Sequence, residues 1–245
     1  MTDSDQTERL THQKRDQTHP NLRPRDAATL ILVDRSGPTP KVLFGRRHHN
    51  LKFNPGKFVF PGGRVEPADK RMPTASPLNA HAEARLMRRV TRPSRDKARA
   101  LALAAIRETF EETGLLLGKR TDPMPPVPDG PWAEFAKAGV LPDLAALHFI
   151  ARAITPPRRP RRFDARFFAA DASAIVHKVE GAVGPDSELV ELVWLPIAEA
   201  KKLELMTITQ VALDELEARV AKGFGHGLPS PFYRMLHRKF VRAEL

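Results

Sequence analysis

The apolar positions of this chain fall first into short runs separated by turn residues and then into longer stretches with helical spacing. Residues 27–34 (A-A-T-L-I-L-V-D) form an apolar, partly β-branched run bounded by Gly37, Pro38 and Pro40, and residues 41–46 follow as a second run, so the two predict strands joined as a hairpin. Residues 58–60 run into Pro61-Gly62-Gly63, a strand entering a tight loop. Leu78, Ala82, Leu86 and Val90 lie near helical spacing with basic residues opposite, which predicts a short amphipathic helix. Residues 98–112 predict the principal helix, stopped by Gly114. Further along, 132–140 read as a short helix, 147–155 and 163–169 as neighbouring strands, 189–195 as a strand, and 196–200 and 207–222 as helices. Residues 122–131, rich in Pro, form a loop, and the polar residues 1–25 read as a flexible leader.

Composition narrows the class. A chain of 245 residues with 41% apolar content can bury one substantial core with appended elements. The expected organisation is a leader (1–25), a principal domain (26–204) with an inserted segment (70–97), and a C-terminal helical extension (205–245) packed on it. No apolar run has the length of a membrane span and the first residues lack a secretory segment, so a cytoplasmic protein with no membrane partner is expected. Cysteine is absent, which excludes disulfides, thiolate metal sites and a Cys nucleophile. The net charge of +11 suits phosphate-bearing ligands as well as plain solubility.

Candidate chemistry concentrates in residues 104–116, A-A-I-R-E-T-F-E-E-T-G-L-L. On a helix, Glu108, Glu111 and Glu112 share a face, while Ile106 and Phe110 point toward a core. Like charges at this spacing repel, and a helix C-terminus disfavours anions, so the cluster calls for a cation. A hard divalent ion with oxygen ligands would supply it. The plainer alternative is a solvated acidic face with Arg107 and Glu111 as an ordinary i,i+4 pair. His48 and His49 read as exposed loop residues rather than ligands, since no third imidazole has a suggestive spacing.

The glycine loop and this helix together resemble the Nudix hydrolase signature, G-x5-E-x7-R-E-U-x-E-E-x-G-U with U apolar. Gly63 begins it and Arg107-Glu108-Thr109-Phe110-Glu111-Glu112-Thr113-Gly114-Leu115 completes it. Asp69 stands at the first Glu position, Thr109 at an apolar one, and residues 70 to 106, 37 in all, replace the seven of the pattern. The extra length reads as an insertion in a loop, where closure entropy grows slowly with length. The span from V-L-F-G-R to F-V-F-P-G-G-R-V, with T-P-P-R-R-P-R-R-F-D-A-R-F-F further on, is similar to the branch that includes peroxisomal coenzyme A diphosphatases. The terminal Arg242-Ala243-Glu244-Leu245 is not the Ser-Lys-Leu peroxisomal address, so that location does not carry over.

The resemblance implies an α/β fold, a mixed sheet between helices, and divalent-metal-dependent hydrolysis of a diphosphate joining a nucleoside to another group. Coenzyme A or acyl-coenzyme A is the leading substrate. ADP-ribose or a nucleotide sugar is the alternative, and a non-catalytic ligand sensor a third possibility. It implies Mg²⁺ or Mn²⁺ held by Glu108, Glu111, Glu112 and the Gly63 carbonyl, with Arg107 orienting the carboxylates. Glu108 is the first candidate base and Glu188 the second. Arg46 becomes a candidate substrate contact. Arg158, Arg159, Arg161 and Arg162, on a proline-stiffened connector, have the fork geometry that matches phosphate oxygens. The C-terminal S-P-F-Y-R-M-L-H-R-K-F-V-R is expected to serve tail packing or a homodimer contact rather than nucleic-acid binding.

Overall fold

The structure is a computed structural model that describes residues 3–52 and 54–245, Asp3 by its backbone alone. In chain order the elements are α1 (Asp3–His12), β1 (Arg25–Asp34), β2 (Lys41–Arg47), β3 (Phe58–Val59), β4 (Gly62–Arg64), α2 (Ala80–Leu86), α3 (Arg95–Thr113), β5 (Leu115–Leu117), β6 (Lys119–Arg120), α4 (Trp132–Lys137), β7 (Val140–Leu141), β8 (His148–Ile154), β9 (Phe163–Asp171), β10 (Ile175–Lys178), β11 (Leu189–Pro196), α5 (Ile197–Ala200), α6 (Thr207–Ala221), β12 (Pro231–Leu236) and β13 (Lys239–Glu244). The main sheet runs β11-β2-β1-β9-β8-β12-β13, with β3 paired to β2 and β4 to β1. It is mixed: β1 and β9 are parallel over nine residue pairs, whereas β1–β2, β2–β11 and β8–β9 are antiparallel.

β1 is apolar almost continuously because both of its faces are covered. Ala28, Leu30 and Leu32 face a core built on α3, and Ile31 and Val33 face a second core built on α6. All five are at most 1% exposed, and each buried Leu, Ile or Val contributes roughly 1.5–3 kcal/mol. β1 is therefore the axis of a three-layer structure. α3 lies against it on one side, capped at the start by Ser94, whose hydroxyl accepts from the Lys97 N–H, and closed by Gly114 at φ 75°. The positive φ suits glycine, and a Cβ there would also meet the Val179 carbonyl at 2.1 Å.

Two expectations at the termini are corrected. Within the supposed flexible leader, Asp3–His12 is helical and docked on the hairpin and α6; residues 1 and 2 lie outside the described residues. The docking rests on Leu10, 2% exposed, and on polar contacts made far along the chain, including the Arg9–Asp214 pair and a bond from Tyr233 Oη to Gln6. At the other end, only Thr207–Ala221 of the expected helical extension is helical, and the last segment adds a hairpin to the sheet edge through Phe232 and Tyr233 beside β8. His237 and Arg238, both at positive φ, form the two-residue turn that matches strand twist. Among the described residues no helix is long and apolar enough to cross a membrane.

Side chains alternate across β1, β9 and β8, so in-register residues form rows. Ala27, Ala165 and Ala153 share one row; Asp26, Asp164 and Ile154 share the next, on the opposite face. Beside the second row Arg166, 1% exposed, donates to Asp26 at 2.8 Å and sits 3.1 Å from Asp164. Arg152 grips Asp164 through two bonds of 2.7 Å, and Lys97 from α3 reaches Asp26 at 2.7 Å. Removing one carboxylate from this network leaves buried guanidinium charge uncompensated. Asp164→Asn is expected to lower stability by about 3–5 kcal/mol in urea unfolding; a loss below about 1 kcal/mol would mean that solvent or neighbouring groups already neutralise the two arginines.

Candidate active site

The site begins with a backbone approach. β4 pairs with β1 at Ala28–Gly63 and Thr29–Gly62, which drives the glycine bend between β1 and α3. A Cβ on Gly62 would lie 2.6 Å from the Ala28 carbonyl, and one on Gly63 would lie 2.4 Å from the Glu108 carboxylate. At Gly62 only hydrogen fits against the backbone of β1, and at Gly63 a side chain would have to push the Glu108 carboxylate aside, so the two glycines let the main chain approach the carboxylate helix.

Arg107 then organises the acidic groups around that bend. It is 1% exposed and donates from Nε to Asp69 at 2.8 Å and from Nη2 to Asp69 and to the Arg64 carbonyl, at 3.2 and 2.8 Å. Its Nη1 donates forward to Glu108 at 3.0 Å and to Glu111 at 2.7 Å. Asp69, fully buried, also accepts from the Glu66 N–H at 2.7 Å, closing the turn that carries it. Burial works against the Arg107 charge, but Asp69, Glu108 and Glu111 outweigh it and hold the guanidinium protonated. The Arg107–Glu111 pair of the plainer reading is present, as one part of this larger junction.

The carboxylates differ from one another. Burial pushes Glu108 up to about 7, Arg107 opposing and Glu111 assisting. Glu111 is raised mainly by burial, with Arg107 again opposing. Glu112 is held well above the usual carboxylate range: burial dominates, Glu188 and Glu108 add repulsion, and Arg47 and the Gly62 N–H resist. Its Oε2 is buried with no hydrogen-bond partner among the described residues. All three carboxylates thus sit where their charge is under-compensated. Among the described residues no three carboxylate or imidazole groups gather tightly enough to mark a metal centre, for Arg107 spans Glu108 and Glu111 while Glu112 lies toward Arg47 and Glu188. The donor set is nevertheless all oxygen, and the orphaned Glu112 oxygen supplies what a hard cation requires.

Beside Gly62, Gly63 and Glu112 opens a cavity of about 270 Å³. Its floor is the Ala27–Ala165–Ala153 row, where small side chains leave room, and Phe60, Phe167 and Ile208 give it apolar walls. Arg159 and Arg161 line it, together with Arg15 and Arg47. The four arginines expected on the connector therefore divide. Arg158 is exposed at φ 59° and outside the cavity lining. Arg162 donates to the Thr155 carbonyl, to Asn21 and to the Leu22 carbonyl, tying the connector to the preceding segment.

Arg46 is also relocated. It pairs with Glu191 at 2.8 Å, its register partner on β11, and Arg47 lines the cavity in its place. The two-residue period of a strand sends these neighbours to opposite faces, a signal already present in β2. Arg47 also holds Glu188, whose half-exposed carboxylate accepts at 2.7 Å. Arg15 carried no local signal, because its place depends on the docking of α1. It shares the cavity with Arg159; burial and then the Arg159 charge lower the Arg15 pKa, and its Nη2 is buried with no hydrogen-bond partner among the described residues.

Gly63→Ala is expected to displace the Glu108 carboxylate while sparing the core. Turnover of a phosphoanhydride substrate should fall about 10²-fold, the cost of misplacing a catalytic group by about 1 Å, with the melting temperature little changed. A fully active Gly63→Ala protein would show that the close approach has no catalytic consequence.

No protein-family model matches the chain. Among solved structures, a NUDIX hydrolase from Alicyclobacillus acidocaldarius superposes with a TM-score of 0.59 at 28% identity, over 80% of this chain and 92% of that one. The NUDIX domain of Shewanella oneidensis NrtR, complexed with ADP ribose, gives 0.46 at 12% identity over 90% and 99% of the two chains. A C. elegans Ap4A hydrolase gives 0.41 at 14% over 80% and 99%. At these scores the last two add nothing to the first. The chain has the Nudix fold, and its likeness to the Alicyclobacillus hydrolase, with the carboxylate helix set against a glycine bend, supports a Nudix pyrophosphohydrolase.

Proposed function

We propose that this chain is a divalent-metal-dependent hydrolase of the diphosphate in a nucleotide conjugate, with coenzyme A or acyl-coenzyme A as the leading substrate. The observation that carries the reading is the polarity of one cavity: the bend and Glu112 form an acidic end, and Arg15, Arg159 and Arg161 supply guanidinium groups to the same space. A diphosphate needs both, cations at its transferred phosphorus and fixed donors on its remaining oxygens. The apolar walls between suit the uncharged parts of such a conjugate. The choice of coenzyme A rests on the likeness of F-V-F-P-G-G-R-V and T-P-P-R-R-P-R-R-F-D-A-R-F-F to the coenzyme A branch.

Glu112, Glu108 and the Gly63 carbonyl, with Glu111, would hold Mg²⁺ or Mn²⁺, which when bound neutralises phosphate charge and acidifies water. Glu108, held beside the bend by Arg107, is the first candidate to accept the proton of an attacking water. Glu188, held by Arg47, is the second candidate. Arg107 positions Glu108 and Glu111 without touching substrate, and Asp69 positions Arg107. Asp69 thereby serves the first acidic position of the signature through a salt bridge.

Glu112→Gln is expected to lower Mn²⁺ binding and abolish metal-dependent turnover with the fold intact; calorimetric Mn²⁺ affinity equal to the parent's would remove Glu112 from the ligand set. Products resolved over coenzyme A, acyl-coenzyme A, ADP-ribose and a nucleotide sugar test the substrate. Release of 3′,5′-ADP with phosphopantetheine supports coenzyme A, while faster cleavage of ADP-ribose assigns the alternative. Arg159→Ala with Arg161→Ala should raise KM about tenfold or more and leave kcat nearly unchanged, the mark of lost uniform binding. Unaltered kinetics would make the connector scaffold alone.

A further inference from the structure

The opposite face of the sheet carries a second concave region, at the start of α3. It is a trough of about 1490 Å³ whose lining includes Asp26, Asp164 and Ile154 from the row behind the alanine floor, with Arg152 beside them. Six exposed cations look into it: Arg23, Arg25, Arg64, Lys70, Arg89 and Arg92. None of their side chains has a carboxylate partner among the described residues. Asp26 and Asp164 are already committed to Lys97, Arg152 and Arg166, which leaves only Glu66 and Asp96 as further acidic groups of the lining.

The ground beneath the trough is positive as well. Lys97, Arg152 and Arg166 face two carboxylates, and Arg166 keeps Nε and Nη2 buried without an acceptor among the described residues. The rim is held in place rather than loose. Arg152 donates to the Arg88 and Arg89 carbonyls at 3.3 and 3.0 Å, and Arg99 donates to the carbonyls of Lys70 and Met72. The first turn of the 19-residue α3 opens beside Ser94, adding the positive end of a helix.

We infer that this trough is an anion-binding site, distinct from the cavity beside Glu112 although a cleft lined by Arg23, Arg25, Arg64 and Arg161 runs between them, that takes a short chain of phosphates. Guanidinium and ammonium groups spread over a concave surface match several phosphate oxygens at once, where a single carboxylate or sulfate would engage few of them. A nucleic-acid strand fits less well. The aromatic residue of the lining, Phe232, is 1% exposed and lies under the Arg152 guanidinium, so no ring is free to stack a base. The segment between Asp69 and α3 contributes Lys70, Arg89 and Arg92, which gives the extra length of the chain a physical role.

The test is calorimetric titration of the full chain with inorganic tripolyphosphate, without added divalent metal. The parent and the Arg159→Ala, Arg161→Ala variant should bind alike. Lys70→Ala with Arg92→Ala should weaken binding about tenfold or more, and the salt dependence should become shallower as two phosphate contacts are lost. Its melting temperature and turnover of the catalytic substrate should match the parent's. Parental affinity in Lys70→Ala, Arg92→Ala overturns the site, as does loss of binding confined to the Arg159, Arg161 variant. Binding of a single-stranded oligonucleotide in place of tripolyphosphate also overturns it. Because titration needs no turnover, failure of the catalytic reading leaves this result intact.

Discussion

The bond set of Arg107 is the constraint on which the site depends. One buried guanidinium joins the turn carrying Asp69, the carbonyl of Arg64 just after the glycine bend, and two carboxylates on successive turns of α3. Its planar fork can serve these directions together, which an ammonium point charge cannot do with the same geometry. Asp69 is remote from Arg107 in sequence and adjacent in space, so chain length between them is irrelevant to the contact. Whatever occupies residues 70–94 must only return the chain to Ser94. Here that stretch is pinned by Arg99 and Arg152 through carbonyl bonds, which keeps the helix start in register with the turn.

The sheet adds a second constraint through its alternation. Because β1, β9 and β8 are in register, one row of alanines clears space beside the glycine bend, and the next row turns Asp26 and Asp164 to the other side. The cavity beside the glycine bend and the basic trough thus lie on the two faces of the same strands. The positive charge of the chain is not spread evenly over its surface. It gathers at the connector with Arg159 and Arg161, and again around the trough.

Much of this was legible in sequence where the signal is local. The apolar run of β1, the helical spacing through Ile106 and Phe110, and Gly114 as a stop each depend on near neighbours. The grouping of Glu108, Glu111 and Glu112 on one helix also follows from spacing alone, and so does the need for glycine at the bend. What was not legible is long-range. Arg15 enters the cavity because α1 docks through Leu10 and Tyr233, contacts that no local window contains. The hairpin at the C-terminus alternates polar and apolar residues weakly, and its turn uses His237 and Arg238 at positive φ in place of the usual glycine or asparagine. Arg46 and Arg47 lay between these cases. The strand period separates them, yet choosing the face required knowing that Glu191 sits opposite Arg46.

The electrostatics of the helix leave its carboxylates short of positive charge. Asp69, Glu108 and Glu111 share one guanidinium, and Glu112 has Glu188 and Glu108 as acidic neighbours against Arg47 and the Gly62 N–H. Two like charges about 4 Å apart cost roughly 4 kcal/mol at an effective dielectric of about 20. Protonation is one way to relieve that cost, and the upward shifts of Glu108, Glu111 and Glu112 come first from burial, with neighbouring carboxylates adding to it. A divalent ion is the other, and it relieves several groups together. Arg107 sets the positions of Glu108 and Glu111, and Gly63 lies against the Glu108 carboxylate. Under the proposed function the packing would favour a cation here, and the arginine side of the cavity would face the phosphate oxygens of a substrate.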